Sequence, residues 1–181
     1  MPSRRLVGKN VISLDLFTDA YRVTGYATVG AGGIQAELAN PNSNYLELEN
    51  AYISRMHQPG EIVASYNICA FRKDNISFIL LQDRREGIAV GTQHGPSVFT
   101  RGRTAIAFVT VPAFEIVGEI LHDGKIAPRD ILVKSPGNFQ PLFSARASAA
   151  LYPDITYSGD LILVHKELVG IFCLDSNKKQ D

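Results

Sequence analysis

The chain has 181 residues, 18 basic and 18 acidic side chains, and 45% hydrophobic content. That content supplies a core and excludes wholesale disorder. Nine basic and nine acidic residues in each of 1–92 and 93–181 exclude a polycation held to nucleic acid by non-specific attraction.

Met1, Pro2, Ser3, Arg4 and Arg5 are not followed by an apolar region, so the start does not read as a signal peptide. No apolar run approaches the roughly 18 residues of a membrane helix. A soluble cytoplasmic protein is the expectation. Residues 11–17 are strand-like, and residues 21–29 alternate aromatic or β-branched with polar positions, as a half-buried strand does. After the turn signal at Gly30, Gly32 and Gly33, residues 34–38 fit either a short helical turn or a brief strand. Asn40-Pro41-Asn42 and Gln58-Pro59-Gly60 mark further turns. Residues 71–81 are rich enough in apolar side chains for a strand covered on both faces. Residues 84–104, with four glycines and four arginines, read as a linker in which 88–90 add an edge strand. Strands are then expected at 106–111, 114–121 and 161–174. Residues 128–133 are open between helical turn and strand, and the polar 176–181 form a tail.

The chain repeats itself. YRVTGYATV at 21–29 agrees with FEIVGEILH at 114–122, Gly25 matching Gly118. Asn44, Tyr45, Leu48 and Ala51 match Asn138, Phe139, Leu142 and Ala145. Lys73, Asp74 and Leu81 match Lys166, Glu167 and Leu174. The offset is 93 in the first and last blocks and 94 in the middle one. Internal duplication is the reading: an all-β chain of two tandem small β-barrel or β-sandwich modules, 1–83 and 105–175. Aromatic positions shared between the copies (Tyr21 with Phe114, Tyr45 with Phe139, Phe78 with apolar Ile171) are expected in the core. Tyr26, Tyr52, Tyr66, Tyr152 and Tyr157 are left for surfaces.

The chemistry-bearing residues point away from catalysis. A phosphate cradle at Gly30, Gly32 and Gly33 needs a following helix, and the matching His122-Asp123-Gly124-Lys125 is a hairpin turn, so a turn is expected. His57, His94, His122 and His165 are not at metal-ligand spacing and read as exposed. Cys69 and Cys173 sit in apolar runs and read as buried free thiols, too few for a disulfide scaffold. Glu47 and Glu49 share a strand face that the other copy fills with Gln140 and Leu142, as a solvated face would. No catalytic residue, metal or cofactor is expected. An enzyme would instead show a deep pocket lined by His57, Glu61 or Asp154.

Leu48-Glu49-Asn50-Ala51 and Phe71-Arg72-Lys73-Asp74-Asn75-Ile76 together resemble the two motifs of Sm-like, SH3-type small barrels. The likeness covers about 40 residues per copy and extends to tandem-barrel families of bacteria with no assigned activity. It implies a small barrel and, through the family's pocket, RNA binding. At the pocket positions this chain departs: the base-contacting asparagine aligns with Tyr45 (Asn44 after a one-residue shift), and the glycine after the arginine is Lys73. The corresponding pair in the second copy is His165-Lys166.

Two functions are expected from these readings. The first is a non-enzymatic binding or assembly module that pairs strand edges with itself or another protein. Its interface is expected on the strands at 11–17 and 106–111, through Val11, Leu14, Leu16, Ile106 and Phe108. The second is binding of RNA or single-stranded nucleic acid through Arg72, Lys73, Arg84, Arg85, Arg101 and Arg103.

Overall fold

The computed structural model describes residues 9–87, 103–122, 124 and 127–175. The first half contains β1 (Asn10–Phe17), β2 (Tyr21–Val29), helix α1 (Gly33–Ala39), β3 (Tyr45–Arg55), β4 (Gln58–Arg72), a 3-10 turn (Lys73–Asn75), β5 (Phe78–Leu81) and α2 (Arg84–Gly87). The second half has β6 (Arg103–Val111), β7 (Phe114–His122), α3 (Pro128–Lys134), β8 (Phe139–Ala149), β9 (Tyr152–His165), a second 3-10 turn (Lys166–Leu168) and β10 (Ile171–Asp175).

Both open stretches are helical. In α1, Ile34 and Leu38 stand four residues apart on one face and are buried, while α3 begins on Pro128, whose fixed φ suits a first helical position. The apolar runs at 71–81 and 161–174 are each broken into strand, 3-10 turn and strand, because Lys73 and Lys166 turn back at the break to reach the helix ends. Lys73 Nζ donates to the carbonyls of Glu37 (2.6 Å) and Asn40 (3.2 Å). Lys166 Nζ donates to the carbonyl of Ser135 at 2.7 Å. In both halves a lysine thus satisfies carbonyls that a helix C-terminus leaves without partners. The expected linker begins with α2, and its last two residues open β6; 88–102, with the expected edge strand at 88–90, lie outside the described residues, as does 176–181.

All ten strands form one open antiparallel sheet in the order β10-β6-β7-β8-β9-β5-β1-β2-β3-β4. The two halves use the same internal order, β5-β1-β2-β3-β4 and β10-β6-β7-β8-β9. Their registers correspond: Phe17 opposite Arg22 and Phe78 is answered, 93 residues on, by Thr110 opposite Glu115 and Ile171. Gly25 and Gly118 sit at matching register shifts between the second and third strands of each half. There the facing strand carries Asn50 and Ser144 at positive φ, 48° and 46°. A Cβ on Gly118 would lie 2.8 Å from Ala145 Cβ, and one on Gly25 would lie 3.2 Å from the Glu49 carbonyl oxygen. At Gly118 only glycine lets the strands approach so closely, and at Gly25 a Cβ would force its neighbours to give by a few tenths of an ångström.

Two apolar cores form on this sheet. One gathers Leu14, Leu16, Val23, Leu48, Ile79 and Leu81 with Phe139, Phe143, Leu161 and Leu163 of the second half. The other gathers Ile116, Leu142, Ala147, Ile162 and Val164 with Met56, Phe17, Phe78 and Leu80 of the first half. Each core therefore takes side chains from both halves.

Candidate assembly interface

The halves join where β5 pairs with β9: Phe78 opposite Val164, Ile79 opposite Leu163, Leu80 opposite Ile162 and Leu81 opposite Leu161. β5 and residues 161–165 of β9 are buried on both faces, since alternate residues serve alternate cores. Around the joint, Phe17 stacks on Phe78 (centroids 4.3 Å) and meets Phe114 and Tyr157 edge-on at 5.6 and 4.7 Å. Phe139 packs against His165 at 4.8 Å.

Each of these positions has a counterpart in the other half; several counterparts are exposed, while Phe71, Cys69, Phe172 and Leu174 are partly buried. Phe78 is 0% exposed and its match Ile171 is 53% exposed. Leu161 is 0% exposed, and Ile68, its match in β4, is 68% exposed. Phe114 and Phe139 are buried, whereas Tyr21 and Tyr45 stand half exposed. The expectation that shared aromatic positions are core holds only on the side that meets the other half. The reason is positional: β9 is covered by β5, whereas β4 and β10 are the end strands of the sheet among the described residues.

The same geometry corrects other expectations. Cys173 is exposed and Cys69 only partly buried, because both lie on the terminal strands β10 and β4. His165, expected outside, is buried at the joint; among the described residues its Nδ1 has no hydrogen-bond partner, and burial pushes its pKa down, against smaller opposing effects of Glu167 and Asp74. Tyr157, expected at a surface, is also buried. The strands expected at the edges, β1 and β6, lie inside the sheet: β1 pairs with β2 and β5, and β6 with β7 and β10. Leu14 and Leu16 are core residues, Ile106 and Phe108 are half-buried, and Val11 is exposed beyond the stretch paired with β5.

The basic residues expected to hold nucleic acid are spread over several elements. Lys73 is buried against α1, with its pKa held down chiefly by that burial. Arg72 pairs with Asp74 at 2.8 Å, and Arg85 pairs with Asp83, whose pKa the guanidinium lowers to about 2. Arg84 sits beside Arg85 in α2, Arg103 opens β6, and Arg101 lies outside the described residues. Among the described residues, no three His, Cys, Asp or Glu side chains are grouped to hold a metal ion.

Residues the sequence reading passed over are those of β4 and β10, together with Tyr21 and Tyr45. One signal for them was visible: where the second half has Phe114 and Phe139, the first has tyrosines, whose hydroxyl suits a ring that must also face water. No protein-family model, curated protein or solved structure matches the chain. The likeness to Sm-like barrels therefore stands on the residues quoted for it.

Proposed function

We propose that this chain is a non-enzymatic assembly module, made of two duplicated β units, that associates with further copies of itself by pairing β10 of one chain with β4 of the next. One observation carries this reading: the two open edges are the counterparts of the two strands already joined within the chain, and they keep apolar side chains exposed. An edge strand offers unpaired backbone donors and acceptors as a template for another strand. A chain with equal numbers of acidic and basic side chains has little net repulsion to hold copies apart.

Because the contact joins different surfaces, it is head-to-tail and either closes into a ring or grows as a filament. The joint is not copied without change. Phe17, Leu80 and Met56 become Thr110, Cys173 and Ala150, so the side chains inserted between chains are smaller. Gly159 admits the Leu81 carbonyl, to which an added Cβ would lie 2.6 Å away, and its counterpart is Tyr66. The copied ladder therefore runs through Cys173, with β10 splaying beyond it. The smaller contact fits association that is reversible with concentration. Size-exclusion chromatography with light scattering over about a hundredfold concentration range should give a mass that rises above that of one chain. A constant mass near 19.8 kDa would overturn the reading.

A further inference from the structure

The register of the joint fixes which residues meet between chains. Moving β5 forward by 93 residues gives β10, and moving β9 back by 93 gives β4. Ile171 then faces Phe71, Phe172 faces Ala70, and Cys173 faces Cys69. Both cysteines of the chain thus fall at one cross-strand position of the same contact, although within a chain they lie on opposite end strands of the sheet.

The position also has the right type. His165 N donates to the Ser77 carbonyl at 3.0 Å, placing a hydrogen-bonded pair just before Phe78 and Val164. Antiparallel pairs alternate, so Leu80 opposite Ile162 is a non-hydrogen-bonded pair, in which Cα atoms approach to about 4.5 Å. That is within the span a disulfide bridges. The side chains converge as well. Leu80 and Ile162 both enter the second core, and Cys69 packs against the corresponding first core. Cys173, exposed in the single chain, would enter the partner's copy of that core beside Cys69.

We infer that Cys173 of one chain and Cys69 of the next form an intermolecular disulfide that locks the assembly under oxidising conditions; this rests on the strand-pairing reading above. The oxidant is a small-molecule disulfide. The exposed Cys173 thiolate attacks it, releasing one small thiolate and leaving a mixed disulfide. The Cys69 thiolate of the neighbour then attacks the Cys173 sulfur and expels the second small thiolate. Two protein thiols and one small disulfide become one protein disulfide and two small thiols, so sulfur, protons and electrons balance.

The test uses full-length chain, the Cys69→Ser and Cys173→Ser variants, and oxidised glutathione, read on non-reducing gels. The parent should give a ladder of covalent multimers that reductant collapses. Each variant alone should stay a single chain, and their mixture should stop at a covalent dimer, since it holds one complementary pair. Cross-linking of either variant alone, a disulfide within one chain, or assembly by light scattering with no cross-link would overturn the cysteine pairing and leave edge assembly standing. Reduced parent that scatters as one chain at all concentrations would instead overturn the assembly reading, and the pairing with it.

Discussion

Replacing Lys73 with methionine keeps the apolar stem and removes the ammonium that serves the Glu37 and Asn40 carbonyls. The expected cost is about 1–3 kcal/mol, the range for leaving buried acceptors unsatisfied, read from urea unfolding. Lys166→Met should cost less, because Lys166 is only half-buried and reaches a single residue, Ser135. Equal costs would mean that depth does not set the value of these caps. His165 gives a pH dependence of known sign. Its folded pKa lies below the ordinary imidazole value, so the unfolded chain takes up the proton first as pH falls. Its part in stability is therefore complete above the ordinary imidazole range and is lost as pH drops through that range. Unfolding free energies measured from about pH 8 to about pH 5 should fall, and His165→Leu should flatten that portion of the curve. A variant with the parent's slope would assign the dependence to other groups.

At the level of elements, β5 and β9 show how four short residue pairs hold two halves together. FILL in β5 is apolar throughout because no face of it meets water. Leu161→Ala removes a fully buried side chain from the joint, and a loss of about 2–5 kcal/mol is expected. Ile68→Ala changes the matching residue at the open edge. In dilute single chains it should alter stability by less than about 0.5 kcal/mol, the usual scale for exposed sites. At high concentration the same change should weaken association. Urea unfolding at low concentration and light scattering at high concentration separate the two effects. A large folding defect in Ile68→Ala, or unchanged association, would count against the edge as the contact.

For the whole molecule, sheet order decides which surfaces remain. Among the described residues, ten strands form one open sheet whose ends are strands of different halves, β4 and β10. Had the two halves stayed apart without closing, β5 and β9 would both be edges, and Phe78 and Leu161 would stand as open as Ile171 and Ile68. The chain instead satisfies one edge of each half internally. That leaves one edge of each kind outward, the arrangement that the proposed head-to-tail growth would use.

Period-two alternation and β-branched content marked the strands, and the matched blocks at 93–94 residues anticipated registers that correspond in the two halves. Gly25 and Gly118 were legible for a local reason: at a bulge with backbone this close, a side chain would crowd the facing strand, severely at Gly118. The lysine pair was legible as a match but not as a cap, since a basic residue in a polar run looks the same whether it caps a helix or meets a phosphate. Residues 71–81 and 161–174 read alike, yet β5 is buried and β10 exposed, because burial depends on what lies alongside a strand rather than on its own residues. Which strands meet across the halves depends on long-range pairing, and a periodic pattern records only which face is apolar. The sequence by itself determined strands, turns and their repetition, each written in local chemistry. Tertiary structure alone decided that β5 joins β9, and so that Cys69, Ile68, Ile171 and Cys173 are left at the edges.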